Sequence, residues 1–78
     1  MTSLRELVLF IAKSLVDSPD QVKVTEVQGE EGRILKIEVA PEDIGKVIGK
    51  QGRIAKALRT VVKAANRDDD KVFVEIVS

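Results

Sequence analysis

The spacing of apolar residues changes repeatedly along this chain, and the order of the changes leaves few folds open. Leu4, Leu7, Val8, Ile11 and Leu15 fall on one face of a helix spanning 4–16. Ser3 with Glu6 three positions on makes a capping box, and Asp17-Ser18-Pro19-Asp20 ends the helix. Alternation then takes over. Val22 and Val24 alternate with polar residues, and the phase slips at Val27, which predicts a bulge. Gly29-Glu30-Glu31-Gly32 reads as a turn, after which Leu35, Ile37 and Val39 alternate with Lys36 and Glu38. The two segments form a hairpin. Pro41 opens a short helix to Ile48, with Glu42 and Asp43 at its positive end. Gly49 and Gly52 interrupt it. A longer helix runs from Arg53 to Asn66, with Ile54, Leu58, Val61, Val62 and Ala65 on one face. Val72 to Val77 is a last strand, apolar on both faces, which predicts a central or well-covered position. The order helix–strand–strand–helix–helix–strand gives an α+β fold: a three-stranded sheet with helices packed on one face.

A chain of 78 residues makes one domain, 1–78, around one small core. Its folding stability should be roughly 4–12 kcal/mol. Cysteine and histidine are both absent. That removes disulfides, thiol nucleophiles and the commonest zinc ligands, and with them the usual neutral-pH acid/base group. No nucleophile–base pair stands out, so the expectation is no enzyme, no cofactor and no metal. Asp68-Asp69-Asp70 reads as a solvated turn, because three adjacent carboxylates rarely converge on an ion. No apolar run approaches the roughly 20 residues that span a bilayer. The first residues do not resemble a signal peptide, so the expected location is the cytoplasm. Leu9, Phe10 and Val16 lie off the main face of the first helix, where they either wrap the core edge or mark a partner surface.

The formal net charge is zero, yet the charges are sorted. Residues 1–43 hold 5 basic and 9 acidic side chains; residues 68–78 hold 1 and 4. Residues 44–67 hold seven basic ones (Lys46, Lys50, Arg53, Lys56, Arg59, Lys63 and Arg67) and no acid. A polyanion senses such a block rather than the total. Phe10 and Phe73 are the only aromatics, so a sheet of stacking rings for bases is not available.

The informative stretch is Ile44-Gly45-Lys46-Val47-Ile48-Gly49-Lys50-Gln51-Gly52-Arg53-Ile54. Two glycines bracket two polar residues between two helices. Glycine permits a sharp turn and, lacking a Cβ, a close approach by another chain. The second helix starts at the loop, so its unpaired N–H groups and positive dipole end point where a phosphate would sit. Lys50 and Arg53 add charge there, and Lys46 lies one turn earlier. A P-loop is a poor reading. The glycine spacing is one short, Gln51 stands where a magnesium-binding Ser or Thr is needed, and no strand leads directly in.

These residues resemble the signature of the KH domain, in which a GXXG loop joins two helices. The element order resembles the type II arrangement, α-β-β-α-α-β with a mixed three-stranded sheet. More narrowly, the chain is similar to the small bacterial single-KH family (KhpA, or YlqC-like). The opening helix, the Ser18-Pro19-Asp20 turn and the run Ala40-Pro41-Glu42-Asp43-Ile44-Gly45 all fit it. The resemblance implies that Gly49, Lys50, Gln51 and Gly52, helped by Lys46, Arg53 and Lys56, hold an RNA backbone. Ile44, Ile48 and Ile54 would floor an aliphatic groove. Residues 66–71 would flank that groove, with Val72–Val77 as its far wall. Asp68, Asp69 and Asp70 argue against RNA binding by the flanking loop.

The function expected is a non-enzymatic protein that binds about four nucleotides of single-stranded RNA. So small a site binds weakly alone, and a second linked domain supplies affinity through avidity. The expected partners are therefore a second copy or the larger KhpB (Jag-like) RNA-binding protein. The resemblance further implies RNA chaperoning, post-transcriptional regulation and effects on cell shape and wall. The alternative is a KH-fold dimerisation or scaffolding module acting mainly through protein partners.

Overall fold

The computed structural model describes residues 3–67 and 71–77. Helix α1 spans Leu4–Leu15, and the Ser3 hydroxyl accepts the Glu6 N–H at 3.1 Å. It ends where Val16 becomes extended. Val8 and Ala12 are its fully buried residues. The off-face residues divide: Leu9 and Val16 pack against the core edge, whereas Phe10 stays 71% exposed.

Strand β1 (Lys23–Gln28) pairs antiparallel with β2 (Gly32–Glu38), and the Gly29 N–H closes the turn on the Gly32 carbonyl at 2.8 Å. The register runs without a break from Lys23 opposite Glu38 to Gln28 opposite Arg33. The bulge expected at Val27 is therefore absent. Val27 instead belongs to the sheet face opposite that of Val24, which is why the alternation of buried residues slipped. Strand β3 (Lys71–Val77) pairs parallel with β2, from Gly32 opposite Lys71 to Glu38 opposite Val77.

The strand order is β1-β2-β3, so β2 is central and β3 is an edge. This corrects the expectation of a central last strand. Val72, Val74 and Ile76 pack on the helix side, while Phe73, on the other face, is 41% exposed. The second set of apolar residues reports an apolar row on the open face, not a central position.

Between β2 and β3 the chain makes a 3-10 turn at Pro41–Asp43, helix α2 (Ile44–Ile48), a second 3-10 turn at Lys50–Gly52 and helix α3 (Arg53–Ala65). Helix α3 faces the core with Ala55, Leu58 and Val62. Val61 and Ala65, expected on that face, are exposed. Leu35 and Ile37 of the central strand are fully buried beneath the helices, and burying each stabilises the fold by about 1.5–3 kcal/mol. The whole is a KH-type α+β fold with one helical layer on a mixed sheet. Asp68, Asp69 and Asp70, read above as a turn flanking the groove, lie outside the described residues.

Candidate nucleic-acid interface

Helix α2 has five residues, too few to persist unaided. Asp43, just before it, supplies an anchor. Its fully buried carboxylate accepts the backbone N–H groups of Ser18 at 3.0 Å and Asp17 at 3.3 Å. Lys46 Nζ completes the set at 3.3 Å and also pairs with the Asp17 carboxylate. Burial alone pushes the Asp43 carboxyl upward. The hydrogen bonds from Ser18, Asp17 and Lys46 outweigh it and hold the group below its ordinary pKa. Lys46 is raised above its usual value, chiefly by its hydrogen bond to Asp17, against the opposing effect of desolvation. Asp43 thus stands at the N-terminal end of α2, as its place in the sequence suggested, and does more than meet the helix dipole. It fastens α2 to the loop that follows α1, and Lys46, read as a free cation of the basic block, is held by two carboxylates.

Helix α2 stops at Gly49, whose N–H bonds the Gly45 carbonyl at 2.9 Å. Gly49 has φ 76° and ψ 172°, a region essentially restricted to glycine. A Cβ there would lie 2.6 Å from Ile54 Cγ1 and 2.9 Å from Ile54 Cβ. The Gly52 N–H closes on the Gly49 carbonyl at 3.2 Å, and the Arg53 N–H closes on Lys50. Gln51 (φ 59°) and Gly52 (φ 73°) are successive left-handed residues, and Gln51 is the only non-glycine with positive φ among the described residues. The Arg53 guanidinium donates to Gln51 Oε1 at 3.4 Å. The hydrogen bonds that close the turn use the N–H groups of Gly49, Gly52 and Arg53, so those of Lys50 and Gln51 are the loop donors left over. A Cβ on Gly52 would meet nothing within 4 Å. Helix α3 begins there without a side-chain cap, so an anion at that point would meet unpaired N–H groups.

Lys50, Gln51, Arg53 and Lys56 are exposed around this loop, and Arg59, Lys63 and Arg67 are exposed beyond it. At about 100° per residue, Arg53, Lys56, Arg59 and Lys63 occupy one flank of α3. Ile54, Ala57 and Val61 occupy the other. Ile44 is half-buried and Ile48 exposed on α2. Ile54 packs beneath Gly49 and also borders α1: with Ile11, Leu15, Arg53, Ala57, Leu58 and Val61 it lines a cavity of about 290 Å³. Lys50, Gln51, Gly52, Arg53 and Lys56 thus lie together around the loop, Lys46 is engaged by two carboxylates, and Ile54 reaches Gly49 at the end of the helix that carries Ile44 and Ile48.

A family model described as the KhpA/KhpB KH domain matches residues 5–76. The RNA-binding protein KhpA of Clostridium perfringens is 65% identical over 75 residues, covering 95% of this chain and all of that one. The KhpA protein of Clostridium acetobutylicum is 61% identical over the same length, with the same coverage. That of Aquifex aeolicus is 49% identical over 78 residues, 99% of each chain. No solved structure matches. With the domain matched almost end to end, and with relatives that align along their whole length, this chain belongs to the KhpA/KhpB KH-domain family.

Proposed function

We propose that this chain is a non-enzymatic binder of short single-stranded RNA that clamps about four nucleotides of backbone at Gly49-Lys50-Gln51-Gly52. The observation that carries the proposal is the open space over Gly52, ringed by exposed Lys50, Gln51 and Arg53. A sugar-phosphate chain can approach the backbone there and meet N–H donors and cations together. Lys56 extends the contact along α3. Lys46 reaches a phosphate only by exchanging a carboxylate for it, so its part is to hold α2 in place. Ile44 and Ile48 supply apolar surface for bases on α2, and Ile54 supports the loop from beneath Gly49.

The test replaces both loop side chains, Lys50→Asp with Gln51→Asp. Both are exposed, so the core is untouched. Fluorescence anisotropy with a labelled single-stranded RNA should show affinity at least about tenfold lower, as expected from reversing one phosphate contact and adding a second charge. A folded double variant that binds as tightly as the parent sinks the proposal.

A second reading concerns protein partners. The apolar cavity between α1 and α3, together with exposed Phe10 and Val61, supports pairing with a second copy or with a KhpB-type protein. Pairing would join two small RNA sites and raise affinity through avidity. Val61→Glu, at an exposed position of the cavity lining, should lower the association seen by sedimentation at rising concentration; an unchanged profile rejects this surface. RNA chaperoning, post-transcriptional regulation in the cytoplasm and effects on cell shape extend the proposal on family resemblance alone.

A further inference from the structure

The sheet face turned away from the helices is sorted into rows. The register places Val27, Ile34 and Phe73 side by side across the three strands. The next row is Thr25, Lys36 and Glu75, and the one after is Lys23, Glu38 and Val77. Gly32 and Lys71 form the row beside the β1–β2 turn, and the apolar row comes next, where Val27 is 37% and Phe73 41% exposed. The turn and this row border an open hollow of about 560 Å³. Ile34, Phe73 and the backbone of Gly29 and Gly32 line it, and among the described residues its charged lining is Glu30, Glu31 and Glu75, with Lys36 opposite Glu75 and Lys71 opposite Gly32 on the same face.

That composition selects its occupant. Carboxylates repel phosphate, so RNA is disfavoured there. An apolar group gains by covering Ile34 and Phe73, but a neutral partner would strip water from the carboxylates of Glu30 and Glu31 and give nothing back. Cations beside the apolar group restore that loss through charge-assisted hydrogen bonds. The cavity exceeds one side chain.

We propose that this open sheet face docks a polypeptide segment presenting a large apolar side chain between lysine or arginine residues. The phosphate-binding loop follows β2 and the turn precedes it. That loop joins two helices of the layer on the other face of the sheet, so both sites can be filled at once.

The test is an NMR titration of the ¹⁵N-labelled full chain. The probe is a decapeptide with one leucine between two arginine–lysine pairs. Saturable shifts should appear at Gly29, Gly32, Phe73 and Glu75. Replacing the leucine by glycine, or the basic residues by glutamate, should weaken binding at least about tenfold, the scale of one good charge-assisted or buried apolar contact. The exposed pair Glu30→Lys and Glu31→Lys leaves the core alone and should invert the preference, losing the basic peptide and gaining the acidic one. No saturation, equal response to the glycine peptide, or shifts confined to the α1–α3 cavity would overturn the proposal. So would movement of the same resonances on adding an RNA oligomer, or on diluting the protein without peptide, since either outcome assigns the face to another occupant.

Discussion

The two glycines of the loop look equivalent in sequence and are not equivalent in structure, and a pair of substitutions separates them. Gly49→Ala meets two penalties. Its φ and ψ fall in a glycine-only region, worth about 1–3 kcal/mol. Its new methyl would also sit 2.6 and 2.9 Å from Ile54 atoms, about 1 Å inside ordinary carbon–carbon contact. Because one of those atoms is Ile54 Cβ, a rotamer change cannot relieve the overlap. Overpacking of this kind costs about 1–3 kcal/mol. The total, about 2–6 kcal/mol, is a large part of the roughly 4–12 kcal/mol expected for the whole domain. Gly52→Ala meets only the left-handed penalty, about 1–2 kcal/mol, since nothing lies near its Cβ. Urea denaturation should therefore show the larger loss for Gly49→Ala, and anisotropy should show the clearer loss of RNA affinity per unit of stability for Gly52→Ala. Ile54→Ala removes Cγ1 and Cδ1, so in that background Gly49→Ala should cost at least about 1 kcal/mol less, while Gly52→Ala should be unchanged. Equal losses at the two glycines, or strict additivity of Gly49→Ala with Ile54→Ala, would refute the assignment.

Other outcomes follow from the same structure. Asp43 has a lowered pKa, so its contribution is complete above the unfolded carboxylate value and is lost as pH falls through the lower folded value. Lys46 is raised, so its contribution is complete below the unfolded lysine value and is lost as pH rises through the higher folded one. With no histidine in the chain, urea midpoints should be flat from about pH 5 to about pH 9, and Asp43→Asn should flatten the acid limb; a slope near neutrality would contradict this. Leu35→Ala, in the centre of the sheet, should cost about 2–5 kcal/mol in chemical denaturation. Ser3→Ala removes the cap of α1 and should cost about 1 kcal/mol. Binding of single-stranded RNA should weaken with salt at a log–log slope near −0.7 per phosphate, about −2 to −3 for a four-nucleotide site, and Lys50→Ala should lower its magnitude by about 0.7.

Local signals were legible in the sequence: the cap at Ser3, the hairpin turn and the glycine-bracketed loop between two helices. Each depends on residues a few positions apart. What sequence reasoning missed depends on distant partners. The place of β3 at an edge is a property of the whole sheet, and the apolar row on the open face gave that strand a central appearance. Val27 looked like a break in phase because its cross-strand neighbour Ile34 and the next, Phe73, share its face. At the candidate site, the exposed Lys50, Gln51, Arg53 and Lys56 were readable from the charge block. The engagement of Lys46 was not, because its carboxylates are Asp43 and Asp17, and Asp17 lies 29 residues away. Ile54 fitted the helical face expected of a groove residue, yet its flank is shared with α1, which no spacing within α3 reveals.

The parallel pairing of β3 with β2 bears on how the protein is made. Synthesis runs from the first residue, so both glycines and both helices around them exist before the last strand does. Until Lys71–Val77 arrives, β2 has a single neighbour, and Leu35 and Ile37 lack part of their cover. A nascent chain stopped after Ala65 would carry Gly49, Gly52 and both flanking helices on a two-stranded hairpin, without the edge strand that completes the cover of Leu35 and Ile37.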